Sequence, residues 1–184
     1  MRSLTFVIGS GRSGSTALSR IMAAHPEVLS LNKYMSSVAW AAFPEGPVHG
    51  AGFWRALSEP TPVYTRMLRS GVPLPKFLYN RLPQGRYNSS AAGVPALSLM
   101  VLPHLSDDPD GLLDELAAVV PGWPERAAAD HHRALFDHFG TRFSRHHAVE
   151  RSRYSTSWPR SCGPRSPRRG SSTCSATAPT VPCQ

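Results

Sequence analysis

The sequence predicts an α/β protein, a parallel sheet flanked by helices, and three observations predict it. An apolar run near the start passes through glycines into a helical pattern, a second short apolar run follows a proline stop, and two later stretches repeat their apolar residues at helical spacing.

Leu4 to Ile8 is short, β-branched and aromatic, and Gly9 bounds it, so it reads as a buried strand of a parallel sheet. Gly9, Gly11 and Gly14 allow the backbone to turn with φ > 0 and to bring N–H groups close to a ligand. Ala17, Leu18, Ile21 and Met22 recur at helical spacing, which places a helix start near Ser13 to Ser15. Free N–H groups and the helix dipole would there face an anion. Ser13, Ser15 and Thr16 add hydroxyls, and Arg12 adds a planar cation able to hold phosphate or sulfate oxygens in pairs.

One absence narrows the choice of anion. Gly9 and Gly14 have the Walker A spacing, but Ser15 stands where that motif carries its lysine, and the cation has moved to Arg12. A loop that hydrolyses ATP or GTP uses the lysine on the β- and γ-phosphates. The run Gly-Ser-Gly-Arg-Ser-Gly-Ser-Thr at 9–16, with Leu18-Ser19-Arg20 and His25-Pro26-Glu27-Val28 after it, resembles the 5′-phosphosulfate loop of sulfotransferases. That resemblance implies a P-loop-type fold and 3′-phosphoadenosine 5′-phosphosulfate (PAPS) as sulfuryl donor, with a hydroxyl or amine on a small molecule or glycan as acceptor. It implies that Gly11, Arg12, Ser13, Gly14, Ser15 and Thr16 bind the donor, that Arg12 stabilises charge on the bridging oxygen, and that no metal takes part. Two other classes compete. A P-loop nucleotide kinase would need a lysine at Ser15, and a nucleic-acid-binding protein would be led by the basic tail.

At 184 residues the chain is one domain's worth, and no apolar run approaches a membrane span. Met1-Arg2-Ser3 precedes only a five-residue apolar strand, so a cytoplasmic location without a secretory signal is expected. The net charge of +8 invites a nucleic-acid partner, but its distribution argues against one: residues 1–150 carry only +2, and 151–184 hold six arginines and no acid. Cys162, Cys174 and Cys183 all lie in that tail, at spacings that match no common zinc pattern.

Further along, His25-Pro26 should stop the first helix, and Val28 to Leu31 reads as a second strand. Lys33 to Phe43 suits a helix with Tyr34, Val38 and Trp40 partly buried. In the sulfotransferases compared, an acidic residue near the acceptor hydroxyl follows such a strand; Lys33 occupies that place here, and the general base is unassigned. Phe53, Trp54, Tyr64, Phe77, Tyr79 and Tyr87 lie in a stretch, 44–98, rich in proline and glycine. They read as ordinary core and loop residues, with an acceptor pocket as the alternative. Leu97 to Leu102 is apolar, and Asp107, Asp108 and Asp110 suit caps for a helix carrying Leu112, Leu113, Leu116, Val119 and Val120. Pro121-Gly122-Trp123-Pro124 breaks the chain before a helix of roughly Ala127 to Phe143, with Leu135, Phe136 and Phe139 as its core face and His131, His132 and His138 at its surface or core edge. Ala148 to Ser152 resembles the strand and loop that follow the helical segment in the same family, which implies a place near the active site for Glu150, Arg151 and Ser152.

After Ser152 the texture changes to Arg, Ser, Pro, Thr and Cys, a composition that cannot offset its ordering entropy, so 153–184 is expected to be disordered. One reading is a natural basic tail. Another is a one-base frame change near 152–155, because recoding from Pro159 onward in the shifted frame permits AELRAAFPEARFVHLFRDGPDCAM. Its Arg-Asp-Gly-Pro-Asp resembles the element that binds the 3′-phosphate of PAPS. On that reading residues 1–152 form a sulfotransferase domain incomplete at the C-terminus.

Overall fold

The computed structural model describes residues 3–7, 14–38, 43–71, 74–88 and 92–152. Gly11, Arg12 and Ser13 of the expected loop, Trp40, and the tail 153–184 lie outside the described residues. Three parallel strands, β1 (Ser3–Val7), β2 (Val28–Asn32) and β5 (His147–Arg151), form the main sheet in the order β1-β5-β2. The register sets Ser3 and Val28 opposite His147, and Val7 and Asn32 opposite Arg151, so the three carboxyl ends are level. The last strand in sequence therefore lies between the first two. In doubly wound dinucleotide-binding sheets the first two strands are instead neighbours.

The helix α1 (Ser15–Ala24) follows β1, and Gly14 at φ +73° makes the left-handed turn into it, a conformation that needs glycine. Its end at Ala24 is set by His25-Pro26, as the sequence predicts. Of the helix expected over Lys33–Phe43, the described residues show α2 over Tyr34–Val38, residues 39–42 lie outside the described residues, and Lys33, at φ +62°, stays outside the helix. The Lys33 N–H extends the β2–β5 ladder by donating to the Arg151 carbonyl at 2.8 Å, and that bond holds the residue out of the helix. Tyr34 is fully buried rather than partly so.

A long excursion separates β2 from β5. It holds a two-residue strand β3 (Pro47–Val48), helices α3 (Gly50–Ser58) and α4 (Pro62–Arg69), a 3-10 turn over Leu78–Arg81, and helices α5 (Ala96–Met100), α6 (Leu102–Leu105) and α7 (Pro109–Val119). A second 3-10 turn at Val120–Gly122, strand β4 (Arg126–Ala127, antiparallel to β3) and helix α8 (Ala128–Arg142) complete it. The core lies on one sheet face, where Leu29, Leu31 and Ala148 meet Tyr34, Met35, Phe53, Leu135, Phe136 and Phe139. The Asp108 side chain caps α7, accepting from the Gly111 N–H at 2.9 Å, and Leu112, Leu113 and Leu116 are buried as their spacing requires.

His131 and His132 correct the surface expectation, since both are fully buried. The His131 Nε2 bonds the Val48 carbonyl at 2.7 Å while its ring stacks on Phe53, and His132 Nδ1 is hydrogen-bonded to the Tyr34 hydroxyl at 2.5 Å. Partners from β3 and α2 each take one imidazole nitrogen and offset part of the cost of burial, while His131 Nδ1 has no partner among the described residues. Among the described residues no helix is long and apolar enough to cross a membrane.

Candidate functional site

The level carboxyl ends of β2 and β5 and the amino end of α1 meet at one side of the sheet, the usual place for ligands in open parallel sheets. A pocket of about 280 Å³ opens there. One stripe of α1, Thr16, Ser19, Arg20 and Ala23, forms one wall. Ser30, Asn32, Lys33 and Arg151 come from the strands and their ends, His104 from α6, and Pro75, Lys76, Leu78 and Arg81 from the excursion complete the lining.

A continuous polar chain runs through this site. Arg151 donates from Nη2 to Thr16 Oγ1 at 2.9 Å and from Nη1 to Asn32 Oδ1 at 3.3 Å. With Oδ1 committed to a guanidinium, the Asn32 amide turns Nδ2 toward His104 Nε2, 3.1 Å away. That nitrogen must then accept, which leaves the proton on Nδ1. Burial pushes the His104 imidazolium down from its usual pKa, and the charges of Lys33 and Arg151 act in the same direction. The ring is a neutral N–H donor, and a proton arriving at Nε2 would confront the Asn32 amide head on. His104 is therefore poorly placed to serve as a base.

Among the described residues the lining carries five cationic side chains, Arg20, Lys33, Lys76, Arg81 and Arg151, and no carboxylate. Ser19 is only 6 % exposed, and its Oγ has no hydrogen-bond partner among the described residues. A buried hydroxyl without a partner, beside cations and a helix amino end, suits an oxyanion. Thr16, Ser19 and Arg151 thus fit a phosphate or sulfate group.

Of the residues the sequence marked, Gly14 and Thr16 stand at this site. Ser15 opens α1, and Gly11, Arg12 and Ser13 lie outside the described residues. The run Glu150-Arg151-Ser152 divides by the period-two alternation of its strand. Arg151 enters the pocket, whereas Glu150 and Ser152 face α2 on the other side. There Glu150 Oε1 accepts from the Met35 N–H at 3.3 Å and from the Ser152 hydroxyl, and Ser152 Oγ accepts from the Ser36 N–H at 3.3 Å. These bonds satisfy the first free N–H groups of α2. Glu150 is fully buried, its Oε2 has no partner among the described residues, and burial raises its pKa to about 7.

Asn32, His104, Lys76 and Arg81 were not foreseen as site residues. Only the position of Asn32 at a strand end carried a signal; the others depend on how the excursion folds back. The aromatic residues of 44–98 are core or pack against it, as the first reading expects. Phe53, Phe77 and Tyr79 are core, whereas Trp54 and Tyr87, with Ser58 and Asp114, line a separate pocket of about 340 Å³. Comparison of the chain with protein-family models, curated proteins and solved structures finds no match in any of the three.

Proposed function

We propose that this chain carries the donor site of a PAPS-dependent sulfotransferase, on a P-loop-type sheet, and transfers a sulfuryl group to a hydroxyl or amine. The observation that carries the reading is the Thr16–Arg151–Asn32–His104 chain at the strand ends, set in a pocket lined by cations and free of carboxylates. Because Thr16 Oγ1 accepts from Arg151, its own O–H is left to donate to an oxyanion. Arg151 is pinned by two partners and so presents its charge without reorganising. Ser19 supplies a second hydroxyl, and the loop residues Gly11, Arg12, Ser13, Gly14 and Ser15 complete the cradle in this reading. Bound there, PAPS supplies the sulfuryl group: its sulfur–oxygen bond to the 5′-phosphate breaks as one to the acceptor forms, and the acceptor's proton leaves to water.

The kinase reading is weaker on two counts. Position 15 is serine, and the pocket lining offers no carboxylate to help hold a magnesium nucleotide. Thermal melting of the full chain with PAP, the desulfated product, and with ATP–Mg²⁺ separates the two. PAP is expected to raise the melting temperature by several degrees and ATP–Mg²⁺ to leave it unchanged. Stabilisation by ATP–Mg²⁺ alone, or by neither, would remove the proposal's support.

A further inference from the structure

The donor reading uses Thr16, Ser19 and Arg151 and leaves part of the pocket lining without a task. Lys76 and Arg81 come from the excursion between β2 and β5, not from the strand ends or α1. Both are exposed, and neither forms an ion pair with a carboxylate among the described residues. Arg81 is steadied by donating from Nη2 to the Pro75 carbonyl at 2.5 Å. Arg20, one turn beyond Thr16 on the same stripe of α1, lines the same space. Like charges on Arg20, Lys76 and Arg81 around one small pocket repel one another, and a ligand of opposite sign relieves that repulsion.

In-line transfer requires the acceptor to approach from the side opposite the leaving phosphate. With the donor's phosphate held at Thr16 and Arg151, Lys76, Leu78 and Arg81 are the part of the lining left for the acceptor. Resting on the donor reading, we infer that the acceptor is itself anionic: a hydroxyl compound bearing a carboxylate, phosphate or sulfate, whose oxyanion is held by Lys76 and Arg81. The reacting groups balance as in the donor reading, with the electron pair of the broken bond remaining on the phosphate of PAP and the acceptor's anionic group unchanged.

The test is calorimetric titration of the full chain, with and without saturating PAP, using glucuronate and glucose 6-phosphate as probes and glucose as the neutral control. Both anions are expected to bind about tenfold or more tightly than glucose. Lys76→Ala combined with Arg81→Ala should weaken them by about tenfold while PAP affinity stays within about twofold. Lys76→Arg, which keeps the charge, should retain binding and shows that the loss is not one of folding. If only one anion responds, the result still supports the inference and tells carboxylate from phosphate. A wild type that binds glucose as well as the anions overturns the inference. Equal losses of PAP and sugar-anion affinity in the double variant also overturn it, since those cations would then hold the donor. No response to PAP, with a sugar-anion response that the double variant abolishes, overturns the donor reading and keeps the anion subsite.

Discussion

The charge state of Glu150, a fully buried carboxyl, bears directly on stability. Its folded pKa of about 7 lies above the ordinary carboxylate value of 4.5 because burial opposes ionisation. The protonated form is thus the one the fold favours: the contribution is fully present below pH 4.5 and is lost as pH rises through 7. Glu150→Gln, which keeps the Oε1 contacts and cannot ionise, should be more stable than wild type at pH 8 by on the order of 2–3 kcal/mol, with the difference vanishing near pH 4. Melting curves of both proteins across that range check it. His104 has the opposite dependence. Its folded pKa lies below 6.5, so its contribution is present above 6.5 and is lost as pH falls through the folded value. Asn32→Asp would replace the amide donor with a carboxylate and let Nε2 carry a proton, so the His104 pKa followed by NMR should move from below 6.5 to above it. A wild-type value already above 6.5 would contradict the assigned tautomer.

At the scale of elements, Asp108→Ala removes the bond to the Gly111 N–H and should cost about 1 kcal/mol in a denaturant titration, leaving PAP binding unaltered. Gly50 is far less tolerant. A Cβ there would stand 2.3 Å from the Val120 carbonyl oxygen and 2.7 Å from the Trp123 nitrogen, both backbone atoms, so Gly50→Ala should destabilise well beyond the Asp108 variant. The α7 cap was legible because capping is a local pattern: an aspartate, a proline and an apolar helical period lie within a dozen residues. The ends of α1 were legible for the same reason, through Gly14 and His25-Pro26. Burial of His131 was not, because it rests on a carbonyl from β3 and a ring from α3, which no local period reveals. The start of α2 at Tyr34 escaped for a similar reason, since Lys33 is held by a ladder bond to Arg151, a residue far along the chain.

Across the whole molecule, strand and helix alternation made a parallel sheet readable, whereas the insertion of β5 between β1 and β2 depends on tertiary pairing alone. The pocket shows the same limit. Thr16 was marked by its loop and Arg151 by the resemblance of its strand, but Asn32, Lys76 and His104 converge from three separate segments. The outer side of α1 carries Ile21, 69 % exposed, and Leu18, 37 % exposed. Ile21→Lys should therefore change the stability by no more than about 0.5 kcal/mol in the same denaturant assay. A loss of several times that would mean this face is covered. The central claim, that an anionic nucleotide donor sits at the carboxyl ends of these strands, is tested most directly by titrating PAP into isotopically labelled full-length chain and following backbone amide resonances. The account predicts that the largest shifts fall on Gly14, Ser15, Thr16, Lys33 and Arg151. Shifts gathered instead around Trp54 and Tyr87, or none at saturating PAP, would contradict it.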